Sequence, residues 1–340
     1  MKRCIDIAGG GLGQVAPNPM VGCVIVHERI IIGEGHHEKF GEAHAEVNAI
    51  NSVHHKSLLK SSTLYVNLEP CNHQGKTPPC SDFIIENKIP KVVIGAIDSN
   101  SLVQGKGMEK LSKAGIDVKM GILEKECREL NKRFFTFHEK KRPYIILKWA
   151  ETLDGFIAQI ENDKSKTASR VSSDESLKLV HKWRSEEQAI MVGTTTVLAD
   201  NPKLTVRHMQ GRNPVRITID KHLKISSDYN LLDKSVPTII FTNEEKASVE
   251  NLEYVKIDFE REMIQQIINE LYKREIQSMI VEGGTKLLNS FLEKNLWDEM
   301  RVFVSKKEFA KGVKAPALSV KPFQNEKIGT DVLFFYRNSN

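Results

Sequence analysis

Three residues with soft or borderline donor atoms, His44, Cys71 and Cys80, have the types and the order of a zinc site. One imidazole and two thiolates leave a fourth tetrahedral position open for water, which is the arrangement of catalytic rather than structural zinc. Glu46 lies two residues after His44 and can move protons, because zinc acidifies its bound water and a neighbouring carboxylate can pass a proton to a leaving amine. The pattern predicts one zinc ion and deaminase chemistry.

The spacing of the two cysteines departs from the usual zinc deaminase signature, which is His-x-Glu followed by Pro-Cys-x-x-Cys. Eight residues separate Cys71 from Cys80 here. This insert must loop out while Cys80 returns to the metal at the start of a helix, so its residues can line a substrate pocket. The alternative is that two buried thiols and a histidine occur together by chance, but it does not account for the order of the residues or for Glu46.

Composition sets only broad limits on the function. A length of 340 residues allows two domains, and a net charge of +5 does not by itself indicate nucleic acid, although an anionic phosphate substrate suits it. There is no run of 18 apolar residues and no readable secretory signal, so we expect no membrane span. Two cysteines are assigned to the metal, and three unpaired ones favour a reducing, cytoplasmic location over a disulfide framework.

Hydrophobic patterning predicts an α/β protein, because strands alternate with helices along the chain. The predicted elements include a hairpin over 21–33, strands over 63–68, 91–96 and 215–219, and a helix that Ser173-Asp174-Glu175 can cap and that runs to Arg184. A glycine cluster at residues 9–13 follows a helical segment rather than a strand, so it is read as a turn and not as a dinucleotide loop. A helix over 44–52 places His44 and Glu46 in its first turn, and a continuous helix over 123–139 closes the first domain. The solvated charge run at 140–143 marks the boundary between domains 1–142 and 143–340.

The second half of the chain contains a different phosphate-binding candidate. A strand over 278–281 runs into Glu282, Gly283 and Gly284, and a helix over 285–293 follows. The backbone N–H groups at the start of that helix can bind a phosphate. A plain tight turn is the alternative, and the strand-glycine-helix pattern alone does not decide between them.

Several motifs together resemble one family. The chain is similar to the bifunctional riboflavin-biosynthesis deaminase/reductases, often called RibD or RibG. The resemblance implies a cytidine-deaminase-like α/β/α domain, then a dihydrofolate-reductase-like α/β domain. The matching motifs are Asn18-Pro19-Met20-Val21-Gly22, Gly33-x-Gly35, His44-Ala45-Glu46-Val47-Asn48-Ala49, Leu68-Glu69-Pro70-Cys71, Gly75-Lys76-Thr77-Pro78-Pro79-Cys80, 148–155, Val197-Leu198-Ala199-Asp200-Asn201-Pro202 and Val281-Glu282-Gly283-Gly284.

The resemblance implies a substrate site beside the zinc. Asn18 matches a position that contacts the pyrimidine, and His37 matches a substrate-binding histidine. Lys76 and Thr77, in the insert between the cysteines, are also predicted to contact the substrate. Without the resemblance, Asn18 is as readily explained as a turn-capping residue.

For the reductase the resemblance implies NADPH, bound at positions shared with the family. Many members carry Ser-x-Trp where this chain has Ala168-Ser169-Arg170, so aromatic stacking is replaced by a guanidinium, which can also lie flat against a ring. The predicted cofactor contacts are Ala150, Arg170, Thr196, Asp200, Gly284, Thr285, Lys286 and Leu287. The predicted substrate contacts are Ala168, Arg184, Leu204, Arg207 and Glu282. Two arginines suit a ribose phosphate, and Lys148, Asp200 and Glu282 are candidates for holding or protonating the sugar.

The resemblance predicts a phosphorylated pyrimidine substrate, which is deaminated to the uracil and then reduced from ribosyl to ribityl. It also suggests a homodimer or homotetramer. One alternative is a nucleic-acid-editing deaminase, but the chain lacks the basic face with interleaved aromatics that this class requires. Another is a second domain that binds or assembles without catalysis. Arg170 favours that reading, and Lys148, Asp200, Arg207 and Glu282 oppose it.

Overall fold

The chain divides into two compact units, Met1–Lys141 and Arg142–Asn340. The structure is a computed structural model that describes residues 1–72, 78–100, 104–159 and 171–338. No helix within those ranges has both the length and the apolar character needed to cross a membrane. Each unit is built around its own sheet.

The N-terminal unit contains a five-stranded sheet in the order β2-β1-β3-β4-β5. Its strands are β1 (Gly22–His27), β2 (Ile30–His36), β3 (Thr63–Leu68), β4 (Lys91–Ala96) and β5 (Asp117–Lys119). The first two form the predicted antiparallel hairpin, and β3, β4 and β5 run parallel to one another. The carboxyl ends of parallel strands meet at one edge of a sheet, so the segment after β3 is well placed to carry a site.

Helices cover both faces of this sheet. They are α1 (Lys2–Ala8), α2 (Ala45–Ser52), α3 (Cys80–Glu86), α4 (Lys106–Lys113), α5 (Glu124–Leu130) and α6 (Lys132–Lys140), with 3-10 turns at Gly9–Gly11 and Lys56–Ser61. The prediction of one continuous helix over 123–139 is wrong, because the chain leaves helical geometry at Asn131, whose side chain is bonded elsewhere in the domain. His44 is not in the first turn of α2 but is its N-cap residue.

The C-terminal unit contains a nine-stranded sheet in the order β11-β10-β9-β8-β12-β6-β13-β16-β15, and a two-stranded sheet of β14 and β7. The strands are β6 (Tyr144–Glu151), β7 (Phe156–Gln159), β8 (Ala189–Gly193), β9 (Val215–Ile219), β10 (Thr238–Thr242), β11 (Leu252–Lys256), β12 (Ser278–Glu282), β13 (Glu299–Val304), β14 (Gly312–Lys314), β15 (Gln324–Ile328) and β16 (Asp331–Arg337). All strands from the β11 edge through β13 in this spatial order run parallel to one another. Strands β16 and β15 are added antiparallel to them and were not predicted from the sequence.

Helices pack on both faces of the large sheet and bury its apolar side chains in two clusters. They are α7 (Asp174–Glu186), α8 (Thr194–Asp200), α9 (Met263–Lys273) and α10 (Thr285–Glu293), with a 3-10 turn at Asn230–Leu232. The predicted cap of α7 is confirmed, since the Ser173 hydroxyl accepts a hydrogen bond from the backbone N–H of Ser176 at 3.2 Å. The α/β prediction holds for both units.

The charge run at 140–143 is not wholly solvated, and the sequence-based expectation is wrong for Arg142. Its guanidinium donates to both carboxylate oxygens of Asp298, at 2.5 and 2.8 Å, and only 11% of its side chain is exposed. Asp298 also accepts the backbone N–H of Ile145. Arg142 therefore anchors the first strand of the second unit instead of extending into solvent.

Candidate active sites

His44, Cys71 and Cys80 come together in the N-terminal unit. His44 precedes α2, Cys71 follows β3, and Cys80 is the first residue of α3. Their donor atoms all lie within 4.8 Å of one another, with His44 Nδ1 at 3.2 Å from Cys80 Sγ and 3.6 Å from Cys71 Sγ. Tetrahedral zinc with ordinary bond lengths places a nitrogen and a sulfur ligand roughly 3.6 Å apart. The donor set and its spacing therefore fit one zinc ion.

The protonation of the cysteines also suits a metal. The Cys80 backbone N–H donates to Cys71 Sγ at 3.3 Å. The hydrogen bond from the Cys80 thiol, helped by the one from His44, lowers the pKa of Cys71 to about 4. The lowered pKa of Cys71 favours the thiolate that a metal requires, and a divalent cation at these ligands would displace the thiol proton of Cys80 as well.

Glu46 lies in the first turn of α2 and is only 3% exposed. Burial, and next the charge of Cys71, raises the pKa of Glu46 to about 7, while a hydrogen bond with Cys80 acts in the opposite direction. A cation held by the three ligands would also lower it. The carboxylate is thus buried beside the ligands without being needed as one, which is the position a proton shuttle requires.

Glu69 fixes the segment that carries Cys71, and the sequence analysis gave it no role. Its carboxylate accepts backbone N–H groups from Gly105, Gly107 and Met108 at 3.0 to 3.1 Å, and a longer one from Asp98 at 3.4 Å. A Cβ at Gly107 would lie 2.0 Å from the Pro70 carbonyl oxygen, so only glycine allows this approach. Glu69 therefore ties the cysteine segment to the start of α4.

Asn18 and His37 form a chain of contacts that ends at the metal ligands. The Asn18 amide lies 3.1 Å from His37 Nε2, and His37 Nδ1 lies 3.0 Å from the Ala43 carbonyl oxygen. Donation from Nδ1 to the carbonyl leaves Nε2 to accept from the Asn18 amide. Burial lowers the pKa of His37, so this neutral form is favoured. The rings of His37 and His44 are 5.3 Å apart.

Two buried amides hold the loop that carries Asn18. Asn131 brackets Met20, accepting its N–H at 2.8 Å and donating to its carbonyl at 2.9 Å. Asn67 donates to the same carbonyl at 3.0 Å and accepts the N–H of Gly22 at 2.7 Å. Neither residue was predicted from the sequence. An asparagine interrupting a helical pattern was the one available signal at residue 131.

In the C-terminal unit, Lys148, Arg184 and Glu282 form a buried charged cluster at the carboxyl end of the central strands. Lys148 and Glu282 are partners on β6 and β12, 3.9 Å apart, and Arg184 donates to Glu282 at 2.9 Å. Burial alone would raise the pKa of Glu282, but Arg184 and Lys148 hold it below its usual value. Burial, supported by Arg184, lowers the pKa of Lys148. One oxygen of Glu282 makes no hydrogen bond to any described residue.

The glycine turn before α10 lies against α8. Gly283 has φ +116°, and a Cβ there would be 2.7 Å from Thr196 Oγ1, so the turn requires glycine. Thr196 Oγ1 accepts the backbone N–H of Gly284 at 3.1 Å, which brings two predicted cofactor positions together. A glycine turn that leads into the start of a helix fits a pyrophosphate such as that of NADPH.

The remaining predicted cofactor residues differ in how they are placed. The Thr285 hydroxyl donates to the Lys314 carbonyl, Lys286 is exposed, and the Leu287 side chain is packed in the core. Ala150 lies on β6 beside β13. Asp200 is an exposed residue at the end of α8, and within the described ranges no hydrogen bond or ion pair joins it to Lys148 or Glu282.

The predicted substrate residues in the segment after α8 are only partly assembled. Leu204 is buried, and Arg207 is exposed. The backbone N–H of Arg207 donates to Nδ1 of His181, a buried histidine on α7 that the sequence analysis did not single out. Four predicted site residues, Lys76, Thr77, Ala168 and Arg170, lie outside the residues that the structure describes.

Both halves of the chain match family models. Residues 1–96 match the cytidine and deoxycytidylate deaminase zinc-binding region, and residues 143–308 match the RibD C-terminal domain. The chain is 39% identical to the riboflavin biosynthesis protein RibD of Aquifex aeolicus, over 99% of this chain and 97% of that protein. It is 38% identical to the RibD protein of Actinobacillus pleuropneumoniae, over 99% and 94% of the two chains.

Solved structures agree over the same length. A diaminohydroxyphosphoribosylaminopyrimidine deaminase/5-amino-6-(5-phosphoribosylamino)uracil reductase from Thermotoga maritima superposes with a TM-score of 0.89 at 40% identity, covering 99% of this chain and 97% of that one. Form 1 of Acinetobacter baumannii RibD also gives 0.89, at 29% identity, covering 100% and 98%. The similarity therefore extends across both units.

Proposed function

The chain belongs to the RibD family of bifunctional riboflavin-biosynthesis enzymes, and from that membership we propose which of its residues perform each reaction. It is a zinc-dependent deaminase joined to an NADPH-dependent reductase. The first activity converts 2,5-diamino-6-(5-phosphoribosylamino)pyrimidin-4(3H)-one to 5-amino-6-(5-phosphoribosylamino)uracil and ammonia, and the second reduces the ribosyl group to ribityl. The observation that carries the assignment is the His44, Cys71 and Cys80 cluster beside buried Glu46.

In the deaminase, His44, Cys71 and Cys80 would hold the zinc, which when bound would supply an acidified water. The Glu46 carboxylate would take a proton there and deliver it to the amine nitrogen that leaves as ammonia. Asn18 donates one amide hydrogen to His37, so its oxygen is left to accept an N–H of the pyrimidine. Lys76 and Thr77 are assigned to the substrate on the family resemblance alone.

In the reductase, NADPH supplies the hydride when bound, and the chain must hold the ring-opened sugar and provide a proton. Arg184 and Lys148 keep Glu282 ionised, so Glu282 positions the sugar and does not donate a proton. Lys148 is the better proton donor of the two, because burial lowers its pKa. We assign Asp200 to the rim of this site, because it is exposed and apart from the buried cluster.

The cofactor positions in this proposal are Ala150, Arg170, Thr196, Asp200, Gly284, Thr285, Lys286 and Leu287. The hydrogen bond from the Gly284 N–H to Thr196 Oγ1 brings two of these positions together at the turn. Leu287 has a packed side chain, so only its backbone is left for a ligand. The proposed substrate positions are Ala168, Arg184, Leu204, Arg207 and Glu282, with Arg184 and Arg207 on the ribose phosphate.

The two functions are proposed for domains 1–142 and 143–340. The division into Met1–Lys141 and Arg142–Asn340 supports this to within one residue. We propose further that the chain forms a homodimer or homotetramer, since β15 is an edge strand whose first four residues are exposed. Three cysteines outside the zinc site, Cys4, Cys23 and Cys127, are not in disulfides, which supports a reducing compartment that we take to be the cytoplasm.

A single assay tests the proposed function. Zinc-loaded protein is given the diaminopyrimidinone ribosyl phosphate and NADPH, and ammonia and NADPH are followed in one sample. We expect both signals, with Glu46→Gln abolishing ammonia and Lys148→Met abolishing NADPH oxidation. Ammonia without NADPH oxidation by the unsubstituted protein would mean that the second domain binds but does not reduce. Neither signal from folded, metal-replete protein would reject the assignment.

A further inference from the structure

We propose that His181 is a positioning residue of the reductase site, which holds the backbone of Arg207 so that Arg207 and Arg184 act together on the substrate phosphate. The inference rests on the proposed function, in which these two arginines bind that phosphate. His181 matches none of the motifs from which the site was predicted.

His181 joins the two elements that carry the arginines. It lies three residues before Arg184 on α7, so the two side chains emerge on one face of the helix. Both are buried, His181 completely. The backbone N–H of Arg207 donates to His181 Nδ1 at 3.0 Å. The position of the Arg207 backbone relative to Arg184 is therefore set through one imidazole.

The segment around Arg207 needs such an anchor because its backbone is unusual. The backbone of Leu204 and His208 has φ of +54° and +69°, a left-handed conformation that residues other than glycine rarely adopt. Within the segment, the Val206 N–H donates to Asn213 Oδ1 at 2.7 Å. From outside, His181 binds Arg207 and its ring packs 5.0 Å from the ring of His208. Without the imidazole, relaxation of these torsions would displace the Arg207 side chain.

The protonation state of His181 is consistent with this role. Burial, and next the charges of Arg184 and Arg207, lowers the pKa of His181 to about 4. The ring is neutral at neutral pH, and Nδ1 is free to accept because the ring proton is on Nε2. Nε2 makes no hydrogen bond to a residue in the described part of the chain. The contact that matters is therefore the one made by Nδ1.

Two substitutions separate the two ring nitrogens. Asparagine places its side-chain oxygen near the position of Nδ1 and keeps the acceptor, whereas glutamine places its amide near Nε2. We expect His181→Gln to raise the KM of the reductase for the phosphorylated aminouracil about tenfold with kcat within about twofold. We expect His181→Asn to stay within about threefold of the unsubstituted enzyme. With the dephosphorylated substrate, His181→Gln should lose no more than about twofold, because no phosphate remains to be positioned.

The control variant Arg207→Ala keeps failures of the two ideas apart. If Arg207→Ala leaves the KM for the phosphorylated substrate unchanged, the proposed role of Arg207 is wrong and the inference falls with it. If Arg207→Ala raises KM but His181→Gln does not, His181 has no positioning role. The inference is also overturned if His181→Asn is as impaired as His181→Gln, or if the loss is equal for both substrates. Tryptophan fluorescence, which comes only from Trp149, Trp183 and Trp297 of this unit, reports that each variant domain is folded.

Discussion

Asn131 holds Met20 by both halves of its backbone, with Oδ1 accepting the Met20 N–H at 2.8 Å and Nδ2 donating to the Met20 carbonyl at 2.9 Å. The two residues are far apart in the chain, and Asn131 is only 2% exposed. Met20 follows Asn18 by two residues. Asn131, which lies between the last two helices of the domain, thus fixes the position of the loop that we assign to pyrimidine recognition.

Asn131→Ala should impair deamination through this loop. The substitution leaves the buried N–H of Met20 without a partner, which costs about 1–3 kcal/mol. We expect a several-fold higher KM for ammonia release and unchanged NADPH oxidation with the aminouracil as substrate. Asn87→Ala is the matched control, because within the described residues the side-chain amide of this C-cap residue of α3 bonds only to the Phe83 carbonyl. Equal effects of the two substitutions would remove Asn131 from the site.

Glu69→Gln should weaken zinc binding. The amide has one accepting oxygen in place of two, and its NH2 group would face the backbone N–H groups of Gly107 and Met108 or those of Gly105 and Asp98. Residues that support metal ligands change affinity by about 10- to 100-fold when they are replaced. Competition with a chromophoric chelator measures the change. Glu86→Gln, at the exposed end of α3, is the control. An unchanged affinity would show that the Cys71 segment holds its place without Glu69.

Removing zinc should separate the two activities. Chelation is expected to abolish ammonia release and to leave NADPH oxidation intact when the aminouracil is supplied directly, because the charged cluster around Glu282 contains none of the metal ligands. Adding zinc back should restore ammonia release. Loss of both activities on chelation would mean that the metal also supports the reductase.

The stability of the C-terminal unit should fall on acidification through His181. Its pKa is lowered from 6.5 to about 4 in the folded chain, so between these values the unfolded form binds a proton that the folded form does not. The contribution is present above pH 6.5 and is lost as pH falls to about 4, on the order of 1–2 kcal/mol after screening. All three tryptophans, Trp149, Trp183 and Trp297, lie in this unit, so their fluorescence during urea unfolding reports it selectively. In the His181→Asn variant, the same acidification should lower the free energy of unfolding by about 1–2 kcal/mol less than in the unsubstituted protein.

Arg142→Ala should destabilise the same unit by about 3 kcal/mol, because it removes the guanidinium that binds both oxygens of the buried Asp298 carboxylate. Tryptophan fluorescence during urea unfolding measures the change. Arg261→Ala, which removes an exposed arginine of the same unit that pairs with Asp258, should change stability by less than about 0.5 kcal/mol. If both substitutions change the free energy of unfolding by similarly small amounts, Arg142 lies in solvent, as the sequence pattern suggested.

Local pattern was enough to predict much of the fold. Residues 63–68, 91–96, 215–219 and 285–293 were predicted with the bounds that the structure has, because each has a strong apolar period and clear ends. The four strands after α10 were not predicted. The charges in β15 and the short β14 give a weak alternating signal, and β13 and β16 were simply not identified as strands.

The predicted ligands of the zinc site are brought together, but the residues that support them were missed. Glu69, Asn67 and Asn131 act on backbone groups that are distant in sequence, and no spacing rule identifies such partners. His181 was missed for the same reason, since a histidine on an amphipathic helix is ordinarily read as a core residue. The prediction for Arg142 was wrong because a run of charges gives no sign of an ion-pair partner as distant in sequence as Asp298.

The strand order of the large sheet has a consequence for synthesis on the ribosome. The sheet of the deaminase is complete once β5 ends at Lys119, so that domain can fold while the rest is translated. In contrast, β6 is the first strand of its sheet to emerge, and its neighbours β12 and β13 are among the later ones. Strand β6, with its apolar residues Ile145 and Leu147, therefore has no neighbouring strand to pair with during most of the synthesis of the domain. The nascent reductase domain therefore exposes apolar strand residues for longer than the deaminase domain does.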